Sequence, residues 1–378
     1  MKLKKFILIC LSALSIFCLT GCWDMLDIDN RFFVGNIGLD KAEEGDKIEV
    51  TFTFPLVRKI AGGEGGSQGS GSSNIARVST VADSLHQAIH HIAIRVSRQL
   101  FFEHTRVILL GEDLAREGFD WLINFISRNP DINRRGRILV VEGKAKDALA
   151  IKNDFETLLA LYITDIFQNW TISSRFVEIS IDDFMNQMYT TDGDALLPRL
   201  SVGKTDVSIG GAAVIKDYKL VGWLSEEETL GINFVMGKVR GGDLTFDEPG
   251  QHIPISFGIG KARSRIELLE AGPYPKFKII EKVELNLTET PLEMKVDSNE
   301  KLKSLQKRVE EEVNSIILRA VNKLQKEYGV DLVGFGEYLY RHKPEIWKNY
   351  KDNWDDIFPN AEVVVETEVT IRSIGVSM

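Results

Sequence analysis

Two hydrophobic periods run along this chain, and the switches between them mark its elements. The first apolar run, Phe6 to Leu19, has neither period and follows Lys2, Lys4 and Lys5. Periodicity begins at Phe32. Residues 32–39 and 47–57 read as strands joined by a polar turn at Glu43, Glu44, Gly45 and Asp46. Residues 62–73 are almost all glycine and serine, which can bury nothing and predict a mobile loop. Val81, Leu85, Ile89, Ile92 and Val96 recur at helical spacing, with Thr80 and Asp83 as a capping box, so a helix is expected over 81–96. A strand at 106–110, a helix over 114–127 stopped near Pro130 and a strand at 137–141 follow. Residues 147–189 are helix-rich and lead to a loop around Gly193 and Pro198.

The second half opens with a hairpin, 207–214 and 219–224, turning at Lys216, Asp217 and Tyr218. Ser225 and Glu228 cap a helix running to about Val235. Strands are expected at 253–259, 264–269 and 277–288, the last alternating Val283, Leu285 and Leu287 with Lys282 and Glu284. Residues 298–328 carry one apolar stripe (Leu305, Val309, Val313, Ile316, Val321, Leu324) and end at Gly329, which predicts a long helix. A strand over 363–371 closes the chain. The irregular alternation implies an α+β, multi-domain chain with mixed and antiparallel sheets rather than a doubly wound one. A long helix over a C-terminal antiparallel sheet buries both faces. The division is expected to give a leader (1–21), an N-terminal region (22–200, in two subdomains) and a C-terminal α+β domain (201–378).

The first run sets where this body sits. About 14 apolar residues are too short to span a bilayer, which needs about 20, and match the core of a secretory signal. Leu19-Thr20-Gly21-Cys22 then reads as a lipobox. A small residue before the cut suits the peptidase, and the Cys22 thiol accepts diacylglycerol. Cleavage at Gly21-Cys22 leaves an S-diacylglyceryl cysteine whose amine takes a further acyl chain, N-palmitoyl. At about 0.8 kcal/mol per buried CH₂, one chain binds marginally and several bind stably. The protein is thus expected to be tethered to the outer face of a membrane rather than to cross it. The other cysteines, Cys10 and Cys18, leave with the leader, so the remaining 357 of 378 residues can form no disulfide. The net charge of −9 becomes −12 once the three leader lysines go, which disfavours nucleic acid as a partner.

Candidate chemistry is sparse. His86 and His90 are four apart, with His91 adjacent; on a helix the pair can share a metal, but no HExxH pattern is present and a polar flank explains them as well. Asp182-Asp183, Glu226-Glu227-Glu228, Glu310-Glu311-Glu312 and Asp355-Asp356 read as solvated runs rather than a facing acid–base pair. The glycine–serine stretch lacks the Gly-Lys-Ser/Thr ending of a phosphate loop, and no Gly-x-Ser-x-Gly elbow appears. No catalytic residue, metal or cofactor is expected. Trp347 and Trp354, with Tyr338, Tyr340, Tyr350 and Phe358 nearby, read either as core packing or as a partner-binding aromatic patch.

An ordered set of short motifs runs through the chain. Gly21-Cys22-Trp23-Asp24 is followed by Asp27-Ile28, Gly38-Leu39-Asp40, Ser97-Arg98, Phe101-Phe102 and His104. Arg128, Arg134 and Arg135 come next, then Gly211-Ala212-Ala213-Val214 and Leu220-Val221-Gly222. Asp331, Phe335-Gly336, Trp347, Trp354-Asp355 and Phe358 close it. In this the chain resembles the Ger(x)C lipoproteins, the C subunits of spore germinant receptors. It departs in Asp27, where the family usually has Glu, and in the glycine–serine insertion. The resemblance implies a three-domain α+β architecture without known catalysis. It also implies assembly with multi-pass A and B membrane subunits at the spore inner membrane, where nutrients trigger germination. It leaves open whether the body itself binds a small molecule. The rival expectation is a solute-binding lipoprotein that delivers a ligand to a transporter; the β-rich second half argues against its two α/β lobes.

Overall fold

The computed structural model describes residues 4–6, 30–56, 75–151, 159–247, 254–290 and 298–373. Cys22, the Gly21-Cys22 cleavage point and the glycine–serine stretch 62–73 lie outside the described residues.

The body starts with β1 (Arg31–Phe33), β2 (Asn36–Lys41), β3 (Ile48–Pro55) and β4 (Ile75–Ala82). β2 and β3 form the expected antiparallel hairpin. β4 extends it, with Thr80 opposite Val50 and Val81 opposite Glu49. The helix expected from 81 therefore begins later: α1 covers Leu85–Ala93 and is capped by Ser84, whose hydroxyl accepts the Gln87 N–H at 3.1 Å. Thr80, the expected cap, is committed to the ladder with β3, opposite Val50.

β5 (Gln99–Phe101) pairs in parallel with β1 as a separate two-stranded ribbon. After β6 (Val107–Gly111), the helix expected over 114–127 is broken into α2 (Glu112–Glu117) and α3 (Asp120–Arg128). Gly118 turns the chain at φ 129°, a region L side chains avoid. This seats the fully buried Phe119, whose N–H donates to the Tyr218 carbonyl. β7 (Arg137–Val141), α4 (Ala145–Ala150), α5 (Leu159–Ile166) and α6 (Ile181–Thr190) follow. Pro198, expected in a loop, lies within β8 (Ala195–Val202) beside a register shift, an irregularity that tolerates a residue with no N–H. β9 (Val207–Lys216) and β10 (Lys219–Leu224) form the expected hairpin, with Asp217 and Tyr218 both at positive φ as a type I′ turn requires.

Eight strands make one sheet in the order β10-β9-β8-β7-β6-β2-β3-β4. Its middle is parallel and its two ends are antiparallel. The middle is buried on both faces: Ile108, Leu110, Ile138 and Val140 point into one apolar cluster, and Val107, Leu109, Leu139 and Val141 into another. Continuous apolar runs at β6 and β7 are the sequence form of that double burial. The hairpin β9–β10, grouped by sequence with the second half, hydrogen-bonds into this sheet, so strand pairing continues past residue 200.

The second half adds α7 (Glu226–Val235), β11 (Asp243–Asp247), β12 (Pro254–Glu270), β13 (Lys276–Glu289) and α8 (Asn299–Asn322). Short helices α9 (Phe335–His342), α10 (Pro344–Tyr350) and α11 (Trp354–Ile357) lead to β14 (Glu362–Ser373). The two strands expected at 253–259 and 264–269 are one; a register shift at Gly260 absorbs what reads in sequence as a turn. The sheet order is β11-β12-β13-β14, and the last pair is parallel rather than antiparallel. A parallel return cannot be made by a tight turn, so α8 and the short helices provide the crossover. α8 ends in a π-turn over Lys323–Tyr328 and stops at Gly329 in the left-handed region, as its sequence predicts. α7 crosses α8 closely: a Cβ on Gly231 would stand 2.7 Å from the Ile316 carbonyl oxygen.

Glu281 is the anomaly in this half. It is fully buried on the apolar face of β13, between Ser264 of β12 and Thr367 of β14, and neither carboxyl oxygen has a well-formed hydrogen bond among the described residues. Burial pushes its carboxyl from 4.5 up to about 8, against a smaller downward pull from the Ser264 hydroxyl and the Arg263 backbone. The folded chain therefore holds a proton here that the unfolded chain releases above pH 4.5. Its stability contribution is complete below pH 4.5 and is lost as pH rises to about 8, by a few kcal/mol at about 1.4 kcal/mol per unit. Glu281→Gln is expected to flatten that slope and to gain most over the parent at the alkaline end. Urea denaturation at a series of pH values checks this; a parent-to-variant difference independent of pH contradicts it.

Candidate functional site

The histidine pair and the acidic runs resolve into local structure. His86 and His90 lie on the exposed side of α1 with their Nε2 atoms 3.2 Å apart. No cluster of three or more metal-type side chains occurs among the described residues. Asp183 and Glu228 complete capping boxes with Ser180 and Ser225. Glu310 accepts the Val369 N–H at 3.1 Å and so ties α8 to β14.

The closing aromatic block is a packed cage around one carboxylate. Asp331 accepts the N–H groups of Gly334, Phe335 and Gly336 at 2.9, 3.1 and 2.6 Å and the Trp354 indole N–H at 3.0 Å. Burial raises its pKa while those four donors pull it down. Phe335 stacks on Phe277 of β13 at 4.6 Å, and Trp354 packs against Trp347, Tyr350 and Phe358. A Cβ on Gly336 would stand 2.9 Å from Trp354 Nε1, so this position has room only for glycine. Of the two readings of these aromatics, the geometry is that of core packing. Tyr340 remains outside, 65% exposed.

Two features escaped the sequence reading. One is an open cleft of about 530 Å³ at the start of α6, lined by Arg134, Arg135, Arg137, Glu178, Ser180, Asp182 and Asp183. Its charges are largely matched internally: Arg137 pairs with Glu178 at 2.5 Å and Arg134 with Asp182 at 3.9 Å. Arg137 and Glu178 are 41 residues apart, and only the β7–α6 packing brings them together. The other is the β1–β5 ribbon. Here the Arg31 guanidinium lies over the Phe101 ring at 4.5 Å and that of Arg98 over Phe32 at 5.2 Å. Phe33 contacts Phe101 and His104 at 5.6 and 5.0 Å.

Comparison with known proteins matches both halves. The spore germination protein N-terminal domain covers residues 24–202, and the spore germination B3/GerAC-like C-terminal domain covers residues 210–375. The chain belongs to the GerAC-like (Ger(x)C) spore germination family. Spore germination protein YndF of Bacillus subtilis is 28% identical over 99% of this chain and 97% of its own length. Spore germination protein B3 of the same organism is 26% identical over 95% and 96%. The crystal structure of the GerBC protein superposes with a TM-score of 0.61 at 22% identity, over 89% of this chain and 96% of that one, and so shares its fold.

The family's ordered motifs acquire physical roles in the structure. Asp40 of Gly38-Leu39-Asp40 reaches from β2 to accept the Ala145 and Lys146 N–H groups at 2.7 and 2.8 Å, fixing the start of α4. Gly211, at φ 80°, lies where a Cβ would meet the Leu224 carbonyl oxygen at 2.4 Å. Asp331, Phe335, Gly336, Trp347, Trp354 and Phe358, scattered over 28 residues of sequence, form the single cage. Among the described residues of this GerAC-like chain, no helix is long and apolar enough to cross a membrane. Trp354→Phe is expected to cost about 1–3 kcal/mol, the penalty for taking a partner from a buried acceptor, with packing volume nearly kept. Urea or thermal denaturation measures it; a loss under about 0.5 kcal/mol means the indole N–H does not hold the cage.

Proposed function

We propose that this chain is a lipid-anchored, non-catalytic subunit of a nutrient germinant receptor, acting by assembly with membrane-embedded A and B subunits. The observation that carries the reading is the family match through both halves behind a lipobox. The related B3 and A3 proteins of Bacillus subtilis are both spore germination proteins. Processing at Gly21-Cys22 removes the leader (1–21), and the acylated Cys22 holds the body against the outer face of the spore inner membrane. Docking on the membrane subunits shifts their equilibrium to the extent that the body binds their two states unequally.

In the native spore former, with paralogous genes removed, Cys22→Ala is expected to release the protein from the membrane fraction and to bring nutrient germination down to the level of the gene deletion. Germination assays, with mass spectrometry of residue 22, check this. Normal germination in both strains refutes the receptor role. An unmodified thiol in the parent refutes the anchor. Calorimetry with amino acids and sugars separates the solute-binding rival, which requires micromolar binding by the isolated body.

A further inference from the structure

Charge is unevenly spread on this acidic body. Between His86 and Arg106 the chain carries Arg95, Arg98 and Arg106, four of its six histidines, and a single carboxylate, Glu103. Arg31, on β1, joins them through the ribbon register that sets it opposite Gln99. Arg106 lies at the ribbon's other end, where its N–H donates to the Gly35 carbonyl. Arg95 and Arg106 are exposed, and Arg31 and Arg98 are half-buried on aromatic rings. None of the four has a carboxylate within ion-pairing distance among the described residues, although arginines elsewhere on the body, such as Arg116, Arg137 and Arg175, do. Ile94, at the end of α1, is 86% exposed, more than any other large apolar side chain among the described residues. Arg31 and Arg98 flank the ribbon on its two faces, and this concentration of unpaired cations, with its rings and one protruding aliphatic side chain, has the chemistry of a segment that meets lipid headgroups.

The tether says which surface it meets. Arg31 is nine residues after Cys22, a span of at most about 32 Å when fully extended. We propose that the β1–β5 ribbon and the segment from Ile94 to Arg106 rest on an anionic lipid surface and fix the angle at which the body stands over its anchor. This rests on the lipid-anchored reading of Cys22. Acyl chains hold the chain to the membrane, and the arginines choose which side of an otherwise repelled, acidic body turns toward it. The attraction fades over about a Debye length, roughly 10 Å at 0.1 M salt, so it acts only once the tether has brought the ribbon close.

The test uses the mature-length chain with Cys22→Ala, so that no acyl chain contributes, and cosedimentation with vesicles. Phosphatidylcholine vesicles carrying phosphatidylglycerol are expected to bind it at low salt and release it at high salt, while phosphatidylcholine alone does not bind. Replacing Arg95, Arg98 and Arg106 by Gln is expected to weaken binding by roughly fivefold per arginine. The same charge change at Lys301, Lys303 and Lys307, exposed on α8, leaves it unaltered. Equal binding to both vesicle types, equal losses in the two triple variants, or no binding to anionic vesicles at low salt overturns the proposal. If the arginine variant instead loses only binding to the receptor's membrane subunits, the surface belongs to protein and the lipid assignment is wrong. Mass spectrometry of residue 22 in native material separately judges the anchor.

Discussion

A parallel strand beside β13 is the constraint on which the second half turns. β14 runs in the same direction as β13, from Lys276 opposite Glu362 to Asn286 opposite Ser373. Reaching that register requires the chain to travel back along the full length of the sheet. α8 covers the distance, and its apolar stripe covers the sheet as it goes. The return from its far end must then be sharp, and the Asp331 cage makes it so. One carboxylate gathers three backbone N–H groups and an indole, which stops the chain, starts α9 and brings Trp354 in against β13. Gln325 completes the joint by donating to the Phe358 and Ala361 carbonyls. Polar atoms inside an apolar core are costly unless satisfied, and here each of these bonds also specifies a change of chain direction.

Glu281 breaks that pattern. It sits on the same face of the same sheet with no comparable set of donors, and the fold keeps it by keeping it neutral. Burial raises the pKa of both acids; Asp331 meets it with four donors, whereas Glu281 meets it by staying protonated up to about 8. Hydrogen-bond donors oppose the upward push of burial in both, and Asp331 has more of them.

Much of the architecture was legible because period and caps agreed. β7, the hairpin turn at Asp217-Tyr218, the Ser225–Glu228 box and the Gly329 stop are all where local chemistry puts them. The misreadings share a cause, which is long-range pairing that overrides local preference. Thr80 was drawn into β4 by β3, Gly118 broke a helix so that Phe119 could reach Tyr218, and Gly260 was absorbed as an irregularity inside β12. The parallel sense of β14 leaves no mark on its alternation, since both senses bury every second residue. For the candidate site, the motif residues were visible one by one, but their convergence was not. Asp331 and Trp354 are 23 positions apart, and nothing in the spacing says that one donates to the other. Arg98 was read as a motif residue, but the charge excess around the ribbon was missed for another reason: whole-chain charge is acidic and conceals a local excess of the opposite sign.

The hairpin β9–β10 carries a consequence for how this molecule is put together. Its strands complete the large sheet, while the residues straight after it enter α7 and the second half, and the buried cluster that holds Val214 and Leu224 also holds Phe257 and Val313. The chain's midpoint is therefore a weld, not a seam. A break in the backbone at the Gly203–Asp206 turn would strip the first fragment of the two strands at one end of its sheet and leave the second with a hairpin parted from β8. Shuffling of the two halves is therefore expected to keep the large sheet whole only where that hairpin travels with the strands it closes.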